Sequence, residues 1–197
     1  MAASTADFLL RDLRTDEGGF ASALDADTLV DGQSIEGATY VWTPAQLVEV
    51  LGAEDGARAA ELLEVTPEGT LEHGTSTLQL QRDPEDRDWW ESVRSRLLAA
   101  RDARPQPALD GKVVTSWNGL AIAALADAGV TLHRPKLIES ASAAAHLVLD
   151  RHLVEGRLRR TSLAGRVGTA PGVLDDHGNL AEGLLALHRA TGDASWL

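Results

Sequence analysis

Two aspartates with a spacing of two residues are the first residues of this sequence that suggest chemistry. Asp25 and Asp27 lie in the segment ALDADTLVDG. In a β-strand, residues i and i+2 share one face, so both carboxylates would point to the same side. Two carboxylates in one cleft can divide acid and base roles when one pKa is raised. The alternative is a turn in which both aspartates accept hydrogen bonds from nearby N–H groups.

The same segment does not fit a calcium-binding loop. Its acidic residues have four of the spacings of such a loop: Asp25, Asp27, Asp31 and Glu36. However, Leu29 and Val30 stand where an oxygen ligand and a glycine are required. Elsewhere, His146 and Asp150 are spaced for one helix face but lack a third ligand. The sequence therefore predicts no metal ion, and it carries no glycine loop or nucleophile elbow that would indicate a cofactor or a serine nucleophile.

A second group of polar residues precedes an apolar segment, in LDGKVVTSWNGLAIAALADAGV. Asp110 and Lys112 are spaced to form an ion pair, and Asn118 falls in the first turn of a predicted helix. Trp117 offers the flat apolar surface on which a sugar ring can stack, and Asp and Asn can hydrogen-bond its hydroxyl groups. The alternative is structural: a loop salt bridge beside a tryptophan that anchors the core.

A third group opens the last predicted helix, in the segment GVLDDHGNLAEG. Asp175 and Asp176 are candidate ligand-binding residues, and His177 is a candidate acid or base. Adjacent acidic residues at the start of a helix also interact favourably with the helix dipole without any catalytic role. Both interpretations of these acidic residues remain open from the sequence.

The composition excludes several classes of partner. The chain has 197 residues, a formal net charge of −12 and no cysteine. A strongly acidic chain is a poor match for nucleic acid or an anionic membrane, which bind clustered positive charge. Without cysteine there are no disulfides, thiolate metal ligands or cysteine nucleophiles. Because no apolar segment has membrane-spanning length and no signal pattern opens the sequence, a cytoplasmic location is expected.

The elements that must position these residues are mostly helices. Gly18 and Gly19 indicate the end of a first helix, Thr43 and Pro44 the start of another, and Gly192 the end of the last. Helices are predicted over about residues 4–13, 44–51, 54–64 and 84–102. Three more are predicted: one from about Trp117 through Ala128, one from Pro135 through Val148, and one over DDHGNLAEGLLALHRATGD. Short strands are predicted over residues 19–25 and 38–42, in STLQLQ, and at two places in the glycine-rich segment that precedes residue 174.

The helices alternate between two types. The helix that follows Trp117 is apolar on almost every side, which is typical of a helix enclosed by protein. The helix that begins at Pro135 is amphipathic and should border solvent. Alternating inner and outer helices, joined by loops with short β-hairpins, predict an all-α fold that forms part of a helical toroid. A plain helical bundle is the alternative.

Four segments together resemble a known family: GGFASALDAD, GATYVWTPAQL, LDGKVVTSWNGLAIAALA and GVLDDHGNLAEGLLALHRATGDASWL. They are similar to the thioredoxin-domain-containing proteins of the spermatogenesis-associated type, whose bacterial members are often described as N-acylglucosamine 2-epimerase-like. The resemblance implies an (α/α)6 toroid like that of six-hairpin glycosidases and sugar epimerases. We therefore expect residues 1–197 to form a partial toroid truncated at both ends, without the thioredoxin-like domain of the family.

The resemblance also implies a function. We expect a domain that processes or binds carbohydrate, with a small sugar as ligand and no cofactor. Asp25, Asp27 and His177 are the expected catalytic residues of a sugar epimerase, isomerase or glycosidase. The expected binding residues are Asp110, Lys112, Trp117, Asn118, Asp175 and Asp176. The alternative function is a non-catalytic scaffold with a redox or protein-interaction role. Because a partial ring leaves apolar helix faces uncovered, we also expect self-association or low stability.

Overall fold

The computed structural model describes residues 2–197, with the side chain of Glu72 outside the description. The chain divides into two compact units. The first unit combines residues 2–24 with residues 109–197, and the second unit is residues 25–108. About 53% of the chain is helical, which confirms that helix is the main component of the fold. No helix in residues 2–197 is both long enough and apolar enough to cross a membrane.

The first unit is built from four α-helices and six strands. Its α-helices are α1 (Ala2–Phe8), α5 (Thr115–Thr131), α6 (Pro135–His152) and α7 (Leu174–Thr191). Its strands are β1 (Ala21–Leu24), β4 (Leu109–Val114), β5 (Leu153–Val154), β6 (Arg157–Leu158), β7 (Thr161–Leu163) and β8 (Arg166–Val167). A π-helical turn over Leu9–Leu13 extends α1, and a 3₁₀ turn over Ala194–Trp196 follows α7.

Helix α5 packs against both α6 and α7, and their apolar faces form the core of the first unit. The contact between α5 and α7 is unusually close because both helices carry glycine at the crossing. A Cβ on Gly119 would clash with the backbone of Asn179, and one on Gly183 would lie 2.7 Å from the Gly119 carbonyl oxygen. The backbones of α5 and α7 are therefore in direct contact at this crossing, which leaves no room for a side chain.

A four-stranded antiparallel sheet in the order β1-β4-β7-β8 lies beside these helices. Its strands come from three distant parts of the sequence. Ala23 pairs with Asp110, and Val113 pairs with Ser162, so β4 is a central strand. This sheet is more than the loop hairpins expected for an all-α fold. Within the first unit, the β5–β6 and β7–β8 pairs are short hairpins of the expected kind.

The second unit consists of one hairpin and three α-helices. Its strands are β2 (Asp27–Val30) and β3 (Gln33–Glu36), and its α-helices are α2 (Pro44–Leu51), α3 (Ala53–Leu62) and α4 (Arg87–Asp102). Trp42, Leu47 and Val93 are fully buried in its separate core. The Arg104 guanidinium stacks 3.8 Å over the Trp42 ring, and burial lowers the pKa of Arg104.

Several helix ends lie where the sequence predicts them. Thr43 and Gln46 form a reciprocal capping box at the start of α2, and Gly192 ends α7 in the left-handed conformation with φ of 71°. The strand predicted over residues 38–42 is wrong. Residues 37–40 form a turn, and Trp42 makes only an isolated bridge with Ser76. The segment STLQLQ forms no strand beyond that same bridge.

Candidate functional site

The junction between strand β4 and helix α5 positions four of the predicted binding residues. Strand β4 is held between β1 and β7, and α5 begins at the next residue, Thr115. Trp117 therefore lies on the first turn of α5, where 54% of its surface is exposed, and Leu120 one turn further on is 52% exposed. The expectation that α5 is enclosed on every side is wrong for this face, because α6 and α7 pack against the other positions of the helix.

Asp176 joins the first turns of α5 and α7. Its carboxylate is completely buried. One oxygen accepts a hydrogen bond from the backbone N–H of Ser116 at 3.0 Å, and the other accepts from the N–H of Val173 at 2.9 Å. The Arg160 guanidinium lies 3.6 Å away. Asp176 was predicted to bind a ligand, but here it satisfies backbone donors that would otherwise be buried without partners.

Asn118 is also occupied by backbone groups. Its side chain is 1% exposed, and its amide oxygen accepts a hydrogen bond from the N–H of Phe20 at 2.8 Å. Its amide nitrogen donates to the carbonyl oxygens of Phe20 and Val114, each at 3.0 Å. Asn118 was predicted to contact a ligand, whereas in this structure it fastens the segment before β1 to the start of α5.

Asp110 and Lys112 form the predicted ion pair, with Lys112 Nζ 2.7 Å from Asp110 Oδ2. The pair lies on strand β4 and not in a loop. The hydrogen bond from Lys112 is the main reason that the pKa of Asp110 is lowered from its usual value. Both side chains remain accessible to solvent, so an anion and a cation are displayed on the strand that enters α5.

The other two residues predicted in the third group are exposed on the first turn of α7. Asp175 and His177 are both open to solvent. The Nδ1 atom of His177 lies 3.1 Å from the carbonyl oxygen of Val173. Since a carbonyl can only accept, Nδ1 carries the proton in this bond, which leaves Nε2 with a free lone pair. His177 can therefore accept a proton from a group that approaches its outer edge.

The hydrogen bond between Asp176 and Ser116 brings three of the predicted residues to one end of the helix pair. Trp117 follows Ser116, and Asp175 and His177 flank Asp176. We call Trp117, Asp175 and His177 the helix-end cluster. It combines an apolar ring, a carboxylate and an imidazole, the side chains that hold and polarise a polyhydroxylated ligand.

The aspartate pair belongs to the second unit. Asp25 lies between two strands, because β1 ends at Leu24 and β2 begins at Asp27. The backbone N–H of Asp25 donates to the carbonyl of Ala108 at 2.7 Å. The Asp27 carboxylate accepts a hydrogen bond from the Ser34 hydroxyl at 2.7 Å across the β2–β3 hairpin. The two aspartates therefore do not share one strand face, and that part of the argument for their pairing is wrong.

Among the described residues, His152 is, besides Asp176, the most completely buried titratable side chain, and it is not one of the predicted site residues. Its Nδ1 lies 2.6 Å from the Thr115 hydroxyl, and its Nε2 lies 2.8 Å from the Ser162 hydroxyl. Burial lowers its pKa, and the negative charge of Asp176 acts in the opposite direction. A signal existed in the sequence, because His152 continues the apolar face of α6 that includes Ala141 and Val148.

A separate cavity lies in the second unit and contains none of the predicted residues. It has a volume of about 210 Å³, between α3, α4 and the segment before α4. Trp89 lines it, with its indole N–H donating to Asp55 at 2.8 Å and the Arg58 guanidinium 3.8 Å above its ring. In the described part of the chain, no group of three His, Asp or Glu side chains is arranged to hold a metal ion.

Comparison with solved structures gives distant similarities. A cellobiose 2-epimerase from Bacillus thermoamylovorans aligns with 99% of this chain and 50% of its own, at 11% identity and a TM-score of 0.42. A sugar epimerase from a ruminal bacterium aligns with 100% of this chain and 52% of its own, at 14% identity and a TM-score of 0.44. Because these identities and TM-scores are low, the family resemblance of the chain is judged from proteins of similar sequence.

No family model matches the sequence. Two mammalian proteins do match it over almost its whole length. Spermatogenesis-associated protein 20 of Mus musculus is 33% identical, and that of Homo sapiens is 32% identical, each over 96% of this chain. The chain spans about 29% of the length of these relatives. Over nearly all of its length, the chain is therefore similar to spermatogenesis-associated protein 20, the resemblance that its four motifs predicted.

Proposed function

We propose that this chain is a carbohydrate-binding or carbohydrate-processing domain that forms part of an (α/α)6 toroid. The observation that carries the proposal is the exposed indole of Trp117 on the first turn of α5. A tryptophan exposed by 54% at the end of a helix is available for stacking on a sugar ring. The sugar-epimerase-like character of related bacterial proteins, implied by the motif resemblance, points to the same class of ligand.

Rigid support behind Trp117 favours a binding role for this residue. Ser116 and Asn118, its two neighbours in sequence, are both buried and hydrogen-bonded to distant parts of the first unit. The backbone on each side of Trp117 is thus fixed, so little backbone conformational entropy is lost at this position when a ligand binds. We assign Trp117 to stacking, and Asp110, Lys112 and Asp175 to hydrogen bonds with ligand hydroxyl groups.

For a catalytic version of this function, we propose acid and base roles for Asp25 and Asp27 within the second unit and, separately, for His177 within the first unit. Epimerisation needs one group to remove a proton from carbon and another to return a proton to the opposite face. Glycoside hydrolysis needs two carboxyl groups. Asp25 and His177 are both exposed to solvent, and Nε2 of His177 has a free lone pair. Asn118 and Asp176 are positioning residues in this proposal.

Sugar binding is tested by thermal unfolding with glucose, mannose, N-acetylglucosamine and cellobiose. A sugar at ten times its Kd stabilises the folded state by about 1.4 kcal/mol, which raises the Tm of a chain of this size by roughly 3–6 °C. Trp117→Ala should abolish that shift. Leu120→Ala is the matched control, because Leu120 is similarly exposed one turn away, and it should retain the shift. A shift that survives Trp117→Ala overturns the assignment of this residue.

The second candidate function is a non-catalytic scaffold that binds another protein. The exposed apolar side chains of the first unit favour it, since such surfaces often mark protein contacts. Trp117, Leu120, Leu174 and Leu185 are all exposed on α5 and α7. The scaffold function is favoured if no sugar changes the Tm and if Trp117→Ala and Leu120→Ala weaken binding of a partner protein to the same extent. A cytoplasmic location remains a prediction under either function.

A further inference from the structure

The buried histidine at the end of α6 holds three elements together. His152 lies between the Thr115 hydroxyl at the start of α5 and the Ser162 hydroxyl on β7. Thr115 and His152 are completely buried, and Ser162 is nearly so. Each ring nitrogen therefore has one hydroxyl partner and no access to water. The protonation state of the ring is coupled to the direction of both hydrogen bonds.

The geometry fixes which nitrogen carries the proton. The Thr115 hydroxyl lies 2.7 Å from the carbonyl oxygen of Arg159. Since a carbonyl can only accept, Thr115 donates its single hydrogen there and must accept at its lone pair. In the contact between Thr115 and His152, the donated proton is therefore on Nδ1 of His152. Nε2 is then unprotonated, and the Ser162 hydroxyl donates to it.

A second proton on the ring has no place in this arrangement. Protonated Nε2 would be a donor, and the Ser162 hydroxyl would have to rotate and give its own hydrogen to another acceptor. Ser162 is 2% exposed, so water is not available to it in the closed state. An unsatisfied hydroxyl and an imidazolium buried away from water are both costly.

The charged groups on the surrounding elements do not remove this cost. Asp176 on α7 favours the imidazolium, but its carboxylate is already bonded to two backbone N–H groups and lies near Arg160. Arg159 directs its guanidinium to the carbonyl of Thr169. On α6 itself, the Arg151 guanidinium donates to Gly165, at the tip of the β7–β8 hairpin, and Asp150 is exposed. None of them is an acceptor for Ser162.

We propose that His152 is an acid-sensitive latch that holds the β7–β8 hairpin against α5 and the end of α6. When the hairpin opens, the ring reaches water and accepts the second proton, and the protonated ring cannot re-form the bond from Ser162. Acidification thereby favours the open hairpin. The inference depends only on contacts within the first unit and is independent of the proposed sugar ligand.

Hydrogen exchange on the β7–β8 amides, corrected for intrinsic exchange rates, tests the latch. If an exposed imidazole titrates near pH 6.5, the opening equilibrium should rise about tenfold between pH 7.5 and pH 5.5. His152→Gln cannot take a second proton in this range and should abolish that rise. His146→Gln changes an exposed histidine on the same helix and should retain it. A rise of equal size in His152→Gln overturns the proposal.

The unmodified protein offers an independent measurement if His152→Gln does not fold. Nitrogen-15 NMR of the imidazole distinguishes the two neutral tautomers. The latch requires the Nδ1-protonated form of His152 at neutral pH, and it requires His152 to stay neutral to lower pH in the folded chain than in the urea-unfolded chain. Observation of the Nε2-protonated form, or of His152 titrating alike in the folded and unfolded chains, overturns the proposal.

Discussion

The carboxylate of Asp176 accepts a hydrogen bond from the backbone N–H of Ser116 at 3.0 Å, across 60 residues of sequence. Its second oxygen accepts from the N–H of Val173, within its own helix start. One buried side chain therefore satisfies donors at the beginnings of two helices. The position of Trp117 depends on this bond, because Trp117 directly follows Ser116.

Replacing Asp176 should be strongly destabilising. Asp176→Ala leaves two buried N–H groups without acceptors, and we expect a loss of about 2–4 kcal/mol in the free energy of unfolding. Urea unfolding measures the change. Asp175→Ala is the matched control, since Asp175 is the exposed neighbour, and its effect should stay within about 0.5 kcal/mol. Equal effects of the two substitutions would contradict the bridging role of Asp176.

The glycine crossing of α5 and α7 should tolerate no side chain. Gly119→Ala places a Cβ against the backbone of Asn179, so we expect a loss of about 2–4 kcal/mol. Gly178→Ala is the control, because a Cβ at that position of α7 meets nothing within 4 Å. It should be neutral or stabilising by up to about 1 kcal/mol through helix propensity. Calorimetric Tm values compare them, and a Gly119→Ala protein with an unchanged Tm would show that the crossing is looser.

The folded protein should become less stable in mild acid because of His152. Its pKa is lowered in the folded state, mainly by burial, so the unfolded chain binds the additional proton more readily. The stabilisation from the neutral ring is complete above about pH 6.5 and decreases below it, at up to about 1.4 kcal/mol per pH unit. Urea unfolding of the normal chain and of His152→Gln across this range isolates the contribution. A normal chain whose stability relative to His152→Gln stays constant or increases as the pH falls would contradict this prediction.

Self-association remains a prediction, and the exposed residues of α5 give it a test. Burial of Leu120 in a contact between two chains should be prevented by Leu120→Glu, which adds a charge to an apolar face. Sedimentation velocity over a wide concentration range should detect oligomers of the normal chain and fewer of this variant. Leu29→Glu alters an exposed leucine of the second unit and serves as the control. A normal chain that is monomeric at every concentration would refute the prediction.

Local sequence signals predicted much of the helical framework. Proline and capping residues mark the starts of α2 and α6, and Gly192 marks the end of α7, because these residues act on their own backbone. The four-stranded sheet had no such signal. Its pairs join Ala23 with Asp110 and Val113 with Ser162, and such pairing depends on tertiary packing rather than on local periodicity.

The sequence predicted which residues lie in the candidate site better than it predicted what each side chain contacts. Asp110 and Lys112 pair as expected, and Trp117 lies on the first turn of a helix. The sequence could not distinguish Asp176 from Asp175, since adjacent acidic residues look equivalent until the packing of α5 buries one of them. The hydrogen-bond partners of Asn118 and His152 could not be predicted for the same reason, because they lie 37 or more residues away along the chain, apart from local bonds to Val114 and Ser162.

The contact between Gly119 and Gly183 has a mechanical consequence. Where two helices are in backbone contact, no layer of side chains lies between them that could rearrange. A displacement of one helix therefore displaces the other, and the first turns of α5 and α7 move as one rigid body. Any motion that rearranges the residues around Trp117 has to come from the strand and loops that border this pair.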